Sequence, residues 1–210
     1  MKILFLTEDY PDTRRSVFPF VKQLVDELAN QGHEIQVIAP FSLSHNKRIC
    51  KQKESYCVGR GMVTVYRPLY ISFSKLRIGK HSVSYIMIRR AFIRGFKMLE
   101  KKPDFVYGHF WHTAYCGYQY SVKNQLPLFV ASGESEISFR ADTDEAKAFC
   151  RYVSGVICVS TKNKDESINL GLTVENKCIV LPNSVNNKLF KPLMKNACRS
   201  QLALPLDGIS

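Results

Sequence analysis

Apolar and polar positions alternate along this chain in blocks of two kinds. KILFLT (residues 2–7) is a short, unbroken apolar run, the pattern of a buried strand. Behind it Phe18, Val21, Leu24, Val25 and Leu28 recur at helical spacing until Gly32, and HEIQVIAP follows as a second strand. That order predicts a βαβ unit with a right-handed crossover, and hence a parallel sheet. Residues 42–61 are polar, basic and without period, which predicts an exposed loop before the short strand VTVYRP. Further on, a long helix is expected from Ser82 to Lys102, then the strand DFVYGH, a helix from about Thr113 to Asn124, the strand PLFVAS, and a helix near Asp144 to Val153. From Gly155 to Pro192 the chain reads as the strand GVICVS, a polar helix closed by Gly171, and a second buried strand, CIVLP, halted by Pro182. An exit loop follows with Leu189 and Phe190 as apolar pegs.

About seven strands, each followed by a crossover, predict an α/β chain with a Rossmann-like, doubly wound parallel sheet. Such sheets bind ligands beyond the carboxyl ends of their strands. Chemistry is therefore sought in Thr7 to Val17, Ala39 to Ser44, His109 to Thr113, Ala131 to Phe139, and at Ser160 and Asn183.

Composition narrows the class. A chain of 210 residues, 45% hydrophobic, can bury the core of one large α/β domain or two small ones. No apolar stretch approaches the ~18 residues of a membrane-spanning helix. The opening MKILFLTEDYP is too short and too soon acidic for a secretory signal, so a cytoplasmic location is expected. Seven cysteines without a CxxC pair read as reduced, buried thiols.

The formal charge of +12 adds a surface expectation. Arg90, Arg94, Lys97 and Lys101 share one face of the expected helix from Ser82 to Lys102, opposite Ile88, Phe92, Phe96 and Leu99. With Lys47, Arg48, Lys51 and Lys53, this stripe predicts attraction to an anionic membrane surface or a phosphate-bearing acceptor. Its plain alternative is a solvated helix exterior. Nucleic acid is not favoured, because no recognised binding module accompanies the charge.

At the strand ends, TEDYPDTRRSVFPF has no glycine where a dinucleotide-binding domain carries GxGxxG, which disfavours an NAD-type cofactor. Arg14 and Arg15, just before a helix expected to start near Ser16, suit an anion or form a solvated basic loop. GHFWHT gathers His109, Trp111 and His112, imidazoles that move protons and an indole suited to stacking on a sugar ring. For His109 a hydrogen-bonded core histidine is an equal alternative, and no third ligand follows that would make HxxH a metal site. SGESEISFR is the densest polar group. Ser132 and Gly133 offer a hydroxyl and an amide, and Glu134 and Glu136 offer bases or hydroxyl acceptors, against the plain reading of a turn with a helix cap. GxSxG is absent, and no hydrolase triad stands out.

TEDYP followed by FVKQLVDELANQGHEIQVIAP resembles the opening of the N-terminal domain in retaining GT-B glycosyltransferases of the large family four. DFVYGHFWH is similar to that family's D-V-(I/V)-H-A-H-W strand end, and PLFVASGE stands where P-(I/V)-V-x-T-x-H-G usually stands. GVICVS through VLPNSVNNKLFKP resembles A-D-x-(I/V)-I-A-V-S and (V/I)-I-P-N-G-V-D-x-x-x-F-x-P. Together these segments cover most of residues 1–192.

The resemblance implies the N-terminal half of a GT-B fold, with residues 1–192 as the acceptor-side domain and 193–210 as a linker toward a donor-binding domain. It implies transfer of a sugar from a nucleotide-diphosphate donor to a saccharide or lipid-linked acceptor, with anomeric retention. The nucleotide sugar is a co-substrate held mainly by the other domain, and no metal or other cofactor is obligatory. Synthesis of a cell-surface polysaccharide or glycolipid, peripheral on the inner membrane face, is the expected setting. By this reading Arg14, Arg15 and Ser16 replace the family's glycine-rich loop, and His109, Trp111 and His112 line the acceptor pocket. Ser132, in place of the usual histidine, faces the reacting centre with Gly133 and Glu134, while Ser160 and Asn183 sit at the interdomain cleft. Ser184 and Asn186 depart from the family's P-N-G-V-D, whereas Pro182, Asn183 and Val185 match. A non-catalytic Rossmann-like module for membrane or carbohydrate, and a GT-B nucleotide-sugar epimerase, are the two other readings.

Overall fold

Apolar runs become parallel strands here, and a polar stretch supplies one strand more. The computed structural model describes residues 1–12, 17–43, 51–73, 76–78, 81–185, 187 and 190–206. The first half comprises β1 (Lys2–Leu6), α1 (Pro19–Asn30), β2 (Glu34–Ile38), β3 (Phe41–Ser42), β4 (Lys53–Val58), β5 (Gly61–Tyr66), β6 (Leu69–Tyr70), β7 (Arg77–Ile78), β8 (His81–Ser82) and α2 (Val83–Met98). The second comprises β9 (Phe105–His109), α3 (Trp111–Asn124), β10 (Leu128–Ser132), α4 (Asp144–Tyr152), β11 (Gly155–Cys158), α5 (Thr161–Asn169), β12 (Cys178–Val180) and α6 (Lys195–Gln201).

The main sheet runs β12-β11-β10-β9-β1-β2-β5-β4. Its pairs are parallel except at one edge, where β4 lies antiparallel to β5, from Lys53 opposite Tyr66 to Val58 opposite Gly61. This hairpin corrects the expected loop over 42–61. KESYCV alternates exposed and half-buried residues, so it carries no apolar run. Gly59 makes the turn at φ +55, a left-handed conformation, and a Cβ there would meet the Asn30 side chain at 2.2 Å. The chain moves outward from β1 through β2 and β5, then crosses to β9 and continues through β10, β11 and β12. The strand order therefore reverses between β1 and β9, the switch point where an open α/β sheet forms its ligand crevice.

Each face of the sheet has its own core. On one, Leu4, Val106, Leu128 and Val130 pack with Phe92 of α2, Trp111 and Ala114 of α3, and Phe149 of α4. On the other, Ile3, Phe5, Ile35 and Val37 pack with Val21, Val25 and Ala29 of α1. Beside α1 a cavity of about 440 Å³ opens over β9, β10 and β11, lined by Phe20, Phe105, Tyr107, His109, Phe129 and Ile157 among others.

Three expectations change at the edges. α2 ends at Met98 because Leu99 adopts an extended backbone, so Lys101 lies beyond the helix and pairs with Glu34 at 2.7 Å. Arg94 turns its guanidinium to the Leu69 carbonyl. The continuous four-cation stripe is thus broken. β12, expected to be buried, is an edge strand with Ile179 and Val180 exposed, and Phe190 is exposed rather than pegged into a core. Leu189 lies outside the described residues. Cys116, Cys150 and Cys158 are buried free thiols, but Cys57 on the edge hairpin is exposed and Cys178 and Cys198 are half-buried, while Cys50 lies outside the described residues.

The hairpin also fixes the loop after β1. The Tyr10 hydroxyl donates to Tyr56 Oη (2.7 Å), which donates to Asp26 Oδ1 (2.8 Å). Arg67, only 3% exposed, reaches Glu54 Oε1 (2.6 Å) and the Pro11 carbonyl (3.2 Å). Tyr56→Phe strands the buried Tyr10 hydroxyl, and urea unfolding should show a loss of about 1–2 kcal/mol.

Candidate functional site

The junction of β9 and α3 sets the geometry. A Cβ on Gly108 would lie 2.3 Å from Ala114 Cα, so the first turn of α3 rests directly on the strand end. Phe110 makes the reversal at φ 77, ψ 155, a strained conformation for a side-chain-bearing residue, costing of order 1–3 kcal/mol. Two backbone bonds hold it, Phe110 N to Ala131 O (2.9 Å) and Ala114 N to Phe110 O (3.0 Å).

This reversal sends the expected aromatic and imidazole group to two faces of the sheet. His109 points to the α1 side. It is 5% exposed, lies against Phe18, Phe20 and Phe110, and lines the cavity there. Neither ring nitrogen has a hydrogen-bond partner, and burial pushes its pKa down to about 4. Trp111 goes to the other side, fully buried, stacked on Phe139 and edge-on to Phe149. It therefore offers no face to a sugar, which corrects its expected role. His112 is half-buried on that same side, with Nε2 3.2 Å from Ser138 Oγ, its ring edge-on to Tyr85 and Phe139, and its pKa lowered by burial.

Ser132, Gly133 and Glu134 do come together, and they do so around Trp111. Glu134 Oε1 accepts the Trp111 backbone N–H (2.9 Å), and Oε2 accepts the Gly133 N–H (3.0 Å) and the Ser132 hydroxyl (3.3 Å). Trp111 Nε1–H donates to Ser132 Oγ (3.3 Å). Phe110 gives α3 no side-chain cap, so Glu134 caps that helix from another loop. Its carboxyl is raised above the usual range by desolvation, against the opposing pull of the Trp111, Gly133 and Ser132 hydrogen bonds.

Glu8 was not singled out in the sequence. It stands just past β1 at the switch point, exposed at the rim. Enough protein surrounds it that desolvation, then the charges of Glu134 and Asp9, hold its carboxyl above the usual range. An acid directly after the first strand, in TEDYP, was the available signal. Tyr70 completes this rim: desolvation and then the Glu8 charge raise its hydroxyl's pKa, opposed by a hydrogen bond with Ser42.

Ser160 caps α5, accepting from Asn163 N (3.2 Å) and donating to Asn163 Oδ1 (2.7 Å), so its hydroxyl is engaged. Asn183 is exposed at the lip of the α1-side cavity that His109 lines. Arg14, Arg15 and Ser16 lie outside the described residues. Among the described residues no group of three His, Cys, Asp or Glu side chains is arranged to hold a metal ion.

Solved structures share this architecture. A sucrose-phosphate synthase from Thermosynechococcus elongatus matches with a TM-score of 0.68 at 17% identity, over 98% of this chain and 53% of that one. The catalytic domain of starch synthase IV from Arabidopsis thaliana, bound to ADP and acarbose, matches with a TM-score of 0.61 at 13% identity, over 99% and 60%. Anabaena HepE in complex with UDP-glucose matches with a TM-score of 0.53 at 15% identity, over 97% and 50%. The chain spans little more than half the length of these proteins. No curated protein sequence matches it. The fold is the Rossmann-like half of a GT-B glycosyltransferase. The profile of Glycosyltransferase Family 4 matches residues 19–189, and the chain belongs to that family.

Proposed function

We propose that these residues form the acceptor-side half of a retaining transferase. It moves a sugar from a nucleotide diphosphate to a hydroxyl of a saccharide or lipid-linked acceptor, in cell-surface polysaccharide or glycolipid synthesis at the cytoplasmic face of a membrane. Support comes first from Glu8 and Glu134, two carboxyls near enough to interact across the switch-point crevice and both shifted toward holding a proton. Such a pair suits sugar hydroxyls, because each carboxylate oxygen accepts a hydrogen bond and the proton affinity lets Glu8 share the hydroxyl proton as the new bond forms. Both oxygens of Glu134 already take protein donors, which leaves Glu8 as the freer acceptor.

In this reading residues 193–210 lead to a donor-binding half that supplies charge stabilisation at the leaving diphosphate, while the present half positions the acceptor. The 210 residues alone are then inactive. HepE is solved with UDP-glucose, which supports a nucleotide sugar as co-substrate. The test is a screen of the full-length protein against nucleotide-diphosphate sugars and saccharide acceptors. Glu8→Gln should lower kcat/KM about tenfold or more with the fold intact, the loss of one transition-state interaction. An unchanged kcat/KM removes Glu8 from the site, and release of an epimerised sugar without an acceptor replaces the transferase by an epimerase.

A further inference from the structure

We infer that Asn163, on the first turn of α5, is a positioning residue for the transfer reaction: it holds the loop that presents Glu134 to the crevice. Asn163 is 4% exposed, and both ends of its side-chain amide are engaged. Oδ1 accepts the Ser160 hydroxyl (2.7 Å), which fixes the direction of the amide, and Nδ2–H donates to the Glu134 carbonyl (2.7 Å). A polar side chain at the third position of a helix ordinarily turns back to the backbone N–H of its own cap residue. Here it leaves the helix and satisfies the main chain of another loop.

The neighbours of Asn163 grip the same loop. Lys162 Nζ donates to the Ser135 carbonyl (2.8 Å), and Glu166 Oε1 accepts the Ile137 N–H (2.8 Å). Just before the helix, Val159 N–H donates to the Ser132 carbonyl (2.9 Å). The Ser167 hydroxyl donates to the Asn163 carbonyl (2.7 Å) and lies 3.4 Å from Ser132 Oγ. The passage from β11 into α5 therefore fastens residues 132, 134, 135 and 137, a segment that leaves β10 without regular structure of its own. Lys162 is exposed and Glu166 holds only the far side, so Asn163 is the buried contact made to Glu134 itself.

Glu134 is thus held at both ends. Its carboxylate is fixed by the Trp111 and Gly133 N–H groups and the Ser132 hydroxyl, and its main chain by Asn163. Without the Asn163 amide the Glu134 carbonyl loses its donor, and the loop gains by turning that carbonyl to water. The carboxylate then moves with it, away from the start of α3 and from Glu8. A reacting group misplaced by about 1 Å costs on the order of 100-fold in rate, so the effect belongs to kcat. Binding of the nucleotide sugar, assigned mainly to the other half, is left as it was. That consequence rests on the transferase reading, whereas the grip of α5 on the loop does not.

The experiment is Asn163→Asp in the full-length protein. This variant keeps the volume and an acceptor for the Ser160 hydroxyl, and places a carboxylate in the first turn of a helix, where it is favoured. It replaces only the donor that faces the Glu134 carbonyl. Hydrogen–deuterium exchange should rise about tenfold in peptides spanning Trp111 and Gly133, whose amides bond the Glu134 carboxylate, and stay unchanged in β1. In turnover, kcat should fall about tenfold or more while KM for the nucleotide sugar stays within about twofold. Lys162→Ala, which removes the exposed contact to Ser135, should raise exchange at the same two amides by about threefold, and it decides the matter if Asn163→Asp does not fold. Wild-type exchange at these amides overturns the inference, and so does a rise shared equally by β1, which would make Asn163 a contributor to global stability alone. Local loosening with an unchanged kcat overturns the positioning role and leaves the transferase reading standing. A wild-type protein that transfers no sugar overturns that reading and the inference with it.

Discussion

Gly108→Ala is expected to destabilise the protein by about 3 kcal/mol or more. The added Cβ would lie 2.3 Å from Ala114 Cα and 2.7 Å from Ala114 N, and these are helix backbone atoms that cannot rotate away. Relief requires α3 to lift off β9. The helix start is tied to Glu134 and to the Phe110 carbonyl, so lifting it breaks the polar cluster as well. Gly117→Ala is the control. Its Cβ would meet the Leu6 side-chain terminus at 2.5 Å, which can yield, and the substitution gains helix propensity, so about 1 kcal/mol is expected there. Urea unfolding of the two variants decides the matter. A Gly108→Ala protein within about 1 kcal/mol of wild type would show that α3 does not rest on the strand as described.

The second large effect is a dependence on acid. His109 is buried without a hydrogen-bond partner, and its pKa falls from 6.5 to about 4. Below pH 6.5 the unfolded chain takes up a proton at this position while the folded chain does not. The unfolded state therefore binds more protons, and stability drops as pH falls, until the folded imidazole itself protonates near pH 4 and the loss levels off. The shift corresponds to about 3 kcal/mol. The expected result is that wild type and His109→Phe differ in this slope: their unfolding free energies diverge by about that amount between pH 6.5 and 4, while titrations common to both cancel. A second variant, His109→Gln, gives the same divergence if phenylalanine overfills the site. Parallel pH profiles for wild type and both variants would mean that His109 is solvated.

The fold was legible where both faces of a strand are covered. KILFL, EIQVI, FVYGH and LFVAS are mostly apolar because helices or apolar neighbours meet them on either side. KESYCV was not legible, since an edge strand with one wet face keeps polar residues and looks like loop. CIVLP misled in the opposite sense: its apolar composition suggested burial, but it forms the other edge. The end of α2 depended on Leu99 leaving the helix to pack against the core, a tertiary choice that no cap residue announces.

The site divides in the same way. That Ser132, Gly133 and Glu134 would lie together at a strand end followed from their place after a strand. Their partner did not, because Glu134 caps a helix that begins 23 positions earlier in sequence. The pattern GHFWH suggested one cluster, but the positive φ of Phe110 deals its side chains to opposite faces, and dihedral strain leaves no mark in composition. Glu8 is held above the usual carboxylate range first by desolvation and then by the charge of Glu134, a neighbour made by the crossover from β5 to β9.

Trp111 is the chain's single tryptophan, and it is sealed between Phe139 and Phe149 with its indole N–H on Ser132. Its emission is therefore a private optical channel onto the β9–α3 junction. Tryptophan emission from these 210 residues, excited at the red edge where tyrosine does not absorb, reads one place only, and that place is the helix start capped by Glu134. A red shift signals that this junction has opened to water, whatever the rest of the sheet is doing.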